Sequence, residues 1–199
     1  MSIVSKHPYV KYVPKNANKL IIGTMPPYRF CNNERNLCEE DVDFFYGSKD
    51  NYFWEILGNL TQKNLSFENT KSAVKERKDL LSSLNVAITD VVLECEHKNG
   101  KSDDNSLEEI VFNTDVLKDI LDNNDIDTLI YTSLKVKSLM YQATKSYHSW
   151  SKDNKREGRI IIDGKEYKVI VLYSPSPSAK RRVNDDKRIQ QYKVAFGIE

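Results

Sequence analysis

Three runs of almost uninterrupted apolar residues, Lys19–Thr24, Val86–Val92 and Thr128–Thr132, constrain this chain more than anything else in it. A strand with one wet face alternates apolar and polar residues, whereas a continuous run suits a strand covered on both faces, as in a parallel sheet. Helical patterns lie between and around these runs, at Tyr52–Leu60, Glu68–Leu84, Leu107–Asn123 and Leu134–Tyr147. Arg159–Ile162 and Glu166–Tyr173 flank Asp163-Gly164, a two-residue hairpin signal, and an amphipathic helix over about Asp185–Phe196 closes the chain. Strands alternating with helices predict a three-layer α/β/α architecture around a central, mainly parallel, four-stranded sheet. Lys19–Thr24, Val86–Val92, Thr128–Thr132 and Val169–Tyr173 are its expected strands. The 199 residues suit one such domain spanning 1–199, with no repeat or low-complexity segment to divide it.

Composition narrows the function classes. A net charge of +1 gives no overall basic field, so contact with nucleic acid has to come from a local patch. No apolar stretch approaches the roughly 18 residues needed to span a bilayer, and the N-terminus lacks the apolar core of a secretory signal. Cys31, Cys38 and Cys95 form no CxxC pair, and an odd count argues against a disulfide framework. Scattered thiols suit a reducing cytoplasm, and no metal site is expected. The nucleotide loops GxGxxG and GxxxxGK[ST] are both missing, which disfavours an unrelated phosphate-binding α/β enzyme.

In open α/β sheets, ligands sit beyond the carboxyl ends of the strands. Three segments emerge there: "GTMPPYRF" at residues 23–30, "LECEHKNGKSDD" at 93–104 and "SPSPSAKRR" at 174–182. Gly23 allows a close turn or a close ligand, and Pro26 and Pro27 stiffen the exit; an ordinary tight strand exit needs no more. In "DFFYGSKDNYFWEIL", at 43–57, Phe53, Trp54, Ile56 and Leu57 fit the buried face of a helix. Phe44, Phe45 and Tyr46 precede it on a loop, where aromatics can stack on a planar ring. Asn51, near the helix start, serves equally as an N-terminal cap. In the last segment, rigid prolines can hold serine hydroxyls for phosphate oxygens beside the Lys180-Arg181-Arg182 run, or the whole can be a solvated turn.

Taken together, these segments resemble the uracil-DNA glycosylase superfamily. Gly23-Thr24-Met25-Pro26 matches its G-x-x-P first motif, Asn51-Tyr52-Phe53-Trp54 its N-x-F-W element, and Ser174-Pro175-Ser176 its second motif. "TDVVLECEHKNGKSDDNSLEEI", at 89–110, resembles a stretch of the hypoxanthine (deoxyinosine) DNA glycosylase branch. The resemblance runs over about residues 19–182, and it is the order and spacing of the motifs that carry it.

The resemblance implies a DNA repair glycosylase that flips a deaminated base, hypoxanthine or uracil, into a pocket and hydrolyses its N-glycosidic bond. It implies no metal or organic cofactor, damaged DNA as partner, no membrane, and action as a cytoplasmic monomer. Gly23, Thr24, Met25, Pro26, Phe45 and Tyr46 would line the base pocket, Tyr46 first among the stacking candidates and Phe30 a further one. Met25 stands where the family usually has Asp or Asn; the hypoxanthine branch also has Met there, and its catalytic asparagine carries over to Asn51. Asp43 and Asp50 are the fallback bases. Ser174 takes the second-motif position that is His in the most active branch, so leaving-group stabilisation is weaker, and Pro27 stands where relatives have Gly. Ser174, Ser176, Ser178, Lys180, Arg181 and Arg182 would grip phosphates, and the Cys95–Ser106 loop or the loop after Pro177 would wedge the duplex. The departures at Met25 and Ser174 leave open a member that binds DNA or a nucleobase without cleaving it.

Overall fold

The computed structural model describes residues 3–31, 36–97, 107–180 and 184–198. The expected parallel strands form and lie side by side. β2 (Lys19–Gly23) pairs in parallel with β3 (Val86–Asp90) on one side and β6 (Thr128–Tyr131) on the other, and β6 pairs in parallel with β9 (Lys165–Val171). The sheet is wider than the four strands expected, because β8 (Glu157–Ile162) and β7 (His148–Trp150) extend it antiparallel beyond β9. Its order is β3-β2-β6-β9-β8-β7. The Asp163-Gly164 turn has φ of +49° and +82°, the left-handed pair that a tight hairpin demands.

The unbroken apolar runs are explained by what covers them. Leu20, Ile22, Leu129, Tyr131, Val169 and Val171 pack on one face, against Leu117, Ile120 and Leu121 of α4 (Thr114–Asn123) and Val136, Leu139 and Met140 of α5 (Leu134–Thr144). Ile21, Ile88, Ile130, Ile170 and Leu172 face the other way, onto α2 (Phe53–Thr61), α3 (Lys71–Ser83) and α7 (Asp185–Phe196). Successive residues thus enter opposite cores, which is the three-layer arrangement. Two short helices, α1 (Tyr28–Cys31) and α6 (Pro177–Lys180), follow strand exits.

Two expected elements are corrected. Val86–Val92 is not one strand: β3 ends at Asp90, and the Val91 and Val92 amides donate to the carbonyls of Gly23 (3.0 Å) and Thr24 (3.2 Å) as the chain leaves the sheet. It continues as β4 (Val92–His97), the centre of a second, antiparallel sheet with β1 (Ile3–Lys6) and β5 (Leu107–Phe112). Leu107–Asn123 is accordingly a strand and then a helix. The break falls at the buried Asn113, whose side-chain amide donates to the Asp90 carbonyl (3.1 Å) and Thr89 Oγ1 (3.3 Å). Apolar residues at 107, 110, 111 and 112 satisfy either period, and pairing with β4 decides for the strand.

At the far edge, the buried Tyr131 hydroxyl lies 3.0 Å from His148 Nε2. Burial, with Lys137 adding to it, holds the His148 imidazole down at about 4, against an ordinary 6.5. The unfolded chain therefore binds a proton that the folded chain refuses between those values, so this site's stability is complete above pH 6.5 and declines toward pH 4. A His148→Gln variant should show a flatter melting temperature across that window, read by thermal unfolding at stepped pH.

Candidate active site

The carboxyl ends of β3, β2, β6 and β9 open into one cleft of about 640 Å³. Thr24, Met25, Pro26 and Pro27 line it after β2, Asp90 at the end of β3, Thr132 and Ser133 after β6, and Ser174 to Ser178 after β9. Tyr46, Ser48, Asp50 and Asn51 arrive from the aromatic-rich loop. The G-x-x-P exit, the aromatic-rich segment and the serine–proline segment therefore converge, whereas no described residue of 93–104 lines the cleft. One backbone hydrogen bond ties two of them directly: the Tyr52 amide donates to the Pro175 carbonyl at 3.0 Å.

Tyr46 is held before any ligand arrives. Its ring stacks on Phe53, with centroids 4.6 Å apart and planes at 29°, and its hydroxyl donates to Thr132 Oγ1 at 2.7 Å. Its backbone is left-handed (φ +55°), and the next residue has to be glycine, because a Cβ on Gly47 would fall 1.8 Å from the Val42 carbonyl oxygen. Gly23 is required for a different reason. A Cβ there would sit 2.0 Å from the Tyr46 hydroxyl and 2.2 Å from Asp90 Oδ1, so these two oxygens meet over the space that a side chain would fill. Gly23 is thus the floor beneath the cleft rather than part of its lining.

Asn51 lines the cleft, and its Oδ1 accepts from the Phe53 amide at 2.9 Å. Asn51 is not the N-cap of α2, which is Tyr52; it stands one residue earlier and holds the first helical amide with one lone pair, while its second lone pair and amide hydrogens have no partner among the described residues. Phe44 and Phe45, expected on an open loop, are buried in the aromatic core instead, Phe45 with its ring 5.1 Å from Tyr9 and 5.6 Å from His7. Phe45 is not among the cleft-lining residues, and Phe30 is likewise buried. Of the fallback carboxylates, Asp43 accepts from the Tyr9 hydroxyl at 2.7 Å, and Asp50 sits exposed at the rim, 3.5 Å from Arg29.

The loop carrying these residues hangs on Asp41, which is fully buried. Its carboxylate takes a two-pronged bond from Arg29 (2.7 and 2.8 Å) and accepts the amides of Cys38 and Lys49, each at 2.8 Å. Burial alone would push the Asp41 carboxyl up, but the Arg29 bond and the two amides outweigh it and hold the group below its ordinary 3.8. Arg29 also donates to Ser48 Oγ at 2.8 Å and is kept cationic, chiefly by its bond to Asp41.

Across the cleft, Ser174, Ser176 and Ser178 form a chain of hydroxyls with spacings of 3.1 and 3.2 Å, and Ser174 Oγ also accepts the Ser176 amide at 3.3 Å. Gln191 of α7 latches this exit, taking the Tyr173 amide at 2.6 Å and giving to the Val171 carbonyl at 2.8 Å. The backbone of Lys180 ends α6; Arg181, Arg182 and most of the expected Cys95–Ser106 wedge lie outside the described residues. Met25 turns its thioether to Cys95, whose Sγ is 3.2 Å away and whose buried thiol is pushed up to about 11.

The residue that sequence reasoning missed is Asp90. It is 5% exposed, and its Oδ2 lies 2.8 Å from Nε2 of His7, itself buried and distant in sequence. His7 Nδ1 accepts the Tyr9 amide at 3.0 Å, so Nδ1 carries no proton and Nε2–H donates to Asp90. The signal was present in a carboxylate closing the apolar run "VAIT", at the carboxyl end of a strand. A larger hollow, about 940 Å³, lies at the opposite ends of the parallel strands, where Lys118 is paired with both Asp122 and Asp163.

No helix among the described residues is long and apolar enough to cross a membrane. Neither a family model nor a curated protein matches the chain. Solved structures do match, among them the solution NMR structure of "a putative Uracil DNA glycosylase from Methanosarcina acetivorans". At 16% identity and a TM-score of 0.59, the alignment covers 98% of this chain and 97% of that one, so the two share a mixed α/β fold over essentially their whole length.

Proposed function

We propose that this chain is a monofunctional DNA N-glycosylase, a single domain acting as a cytoplasmic monomer, that hydrolyses the N-glycosidic bond of a flipped-out hypoxanthine or uracil without a cofactor. The observation that carries the reading is the meeting of all three motif segments at one cleft, joined by the Tyr52–Pro175 bond. The fold shared with the Methanosarcina acetivorans protein supports it. A base buried in a duplex is out of reach, so the nucleotide has to leave the stack and enter the cleft. There the pre-fixed ring of Tyr46 offers a wall, Thr24 to Pro26 a rigid side, and Asn51 an amide that orients water. Ser174 donates to the departing base, and Ser176 and Ser178, with Lys180, Arg181 and Arg182, take the flanking phosphates.

The test is a panel of duplexes carrying hypoxanthine, uracil or xanthine, assayed for abasic sites. Release from the hypoxanthine or uracil duplex is expected; release from none sinks the reading. Binding without cleavage is the second reading, favoured by Met25 being turned to Cys95 and by the Ser174 hydroxyl being engaged with Ser176. Asn51→Ala should slow single-turnover base release by at least about 100-fold while DNA affinity holds. Because Asn51 also holds the first amide of α2, the same change should cost about 1 kcal/mol of stability. Undiminished release beside a lowered melting point would leave Asn51 as a brace for the start of α2 alone.

A further inference from the structure

We propose that Asp90, braced by His7, is the catalytic base that takes the proton from the attacking water. This rests on the glycosylase reading and supplies the part that Met25 lacks. Among the described residues lining the cleft, the carboxylates are Asp50 and Asp90. Asp50 is solvated at the rim beside Arg29, where water and a cation compete for it. Asp90 is different. Its Oδ2 is committed to His7, while Oδ1 is buried and has no hydrogen-bond partner among the described residues. A buried acceptor without a donor is costly, and such a group persists where water or a ligand completes it. Over Gly23 the oxygen shares its space with the Tyr46 hydroxyl, so a water reaches Asp90 from the cleft that this residue lines.

The His7 tautomer fixes the division of labour. Nδ1 is occupied by the Tyr9 amide, so the imidazole gives its one N–H to Oδ2 and orients the carboxylate without taking the proton. A water on Oδ1 then forms the bond from its oxygen to the sugar C1′ as the C1′–N bond breaks and its electron pair leaves with the base. The water's proton passes to Oδ1, and from there to the released base or to solvent.

Asp90→Asn is the decisive variant, because the amide oxygen can keep the His7 bond while the basic oxygen is lost. Its single-turnover base release should fall by about 10²–10⁴-fold, with duplex affinity and melting temperature at wild-type values. His7→Gln, which loosens the carboxylate without removing it, should fall by about tenfold, and it carries the test if Asp90→Asn does not fold. Wild-type release that persists within about threefold in either folded variant overturns the proposal and leaves the glycosylase reading standing. So does a change in which base is released with the rate preserved, since Asp90 would then read the base rather than serve the water. A wild-type protein that releases nothing from the panel overturns both, and the wild-type lane alone identifies that case.

Discussion

Asp41→Ala is expected to cost about 3–5 kcal/mol, the range for a buried ion pair deprived of one partner, and so to lower the melting temperature by roughly 6–20 °C. The carboxylate is fully buried and satisfies the Arg29 guanidinium and two backbone amides, and its removal leaves all of these donors stranded. The Lys49 amide lies in the segment that delivers Ser48, Asp50 and Asn51 to the cleft, and Arg29 also holds Ser48, so base release should disappear together with stability. Pairing the change with Arg29→Ala should restore only part of the loss, because the Cys38 and Lys49 amides stay unpaired. Full recovery in the double variant, measured by thermal unfolding, would mean that the guanidinium alone explains the effect. The contribution is also pH-bounded: with the carboxyl held below 3.8, it is present above that value and fades as the pH drops through the lowered one.

Gly23→Ala should be nearly as damaging, for a single methyl group. Its Cβ has no room between the Tyr46 hydroxyl and Asp90 Oδ1, and both are fixed, the one through Thr132 and the other through His7. Overpacking of this kind costs about 1–3 kcal/mol, or roughly 2–12 °C in a chain of this size. Base release should suffer more than stability does, because relief comes by pushing the Tyr46 ring or the Asp90 carboxylate out of place. A variant that melts a few degrees lower yet releases base at the wild-type rate would remove Gly23 from the account of the cleft.

The parallel core was legible because burial on two faces leaves a plain mark: an apolar run such as Leu20-Ile21-Ile22 has no other easy home. The Asp163-Gly164 hairpin and the last helix were legible from turn chemistry and period. What escaped was set by partners far away in sequence. Leu107–Phe112 became a strand because β4 was there to pair with it, and its own period fits helix and strand alike. Phe45 read as a loop aromatic because the segment has no period, but its neighbours Tyr9 and His7 come from the chain's first residues and enclose it. Asp90 was missed for the same reason: its interest lies in one oxygen held by His7 and another without a partner among the described residues, and no spacing rule links residues so far apart. Gly23, Tyr46 and Asn51, by contrast, were flagged by local chemistry, and all three stand at the cleft or directly beneath it.

The bond from the Tyr52 amide to the Pro175 carbonyl makes the two walls of the cleft a single mechanical clamp. A nucleotide too bulky for the gap can enter only by parting the walls, and that breaks this bond and exposes the Tyr52 amide to solvent. The rate at which that one amide trades hydrogen for deuterium is therefore a clock for cleft opening. Slowed exchange under a bound duplex marks a seated ligand, and quickened exchange marks a forced entry.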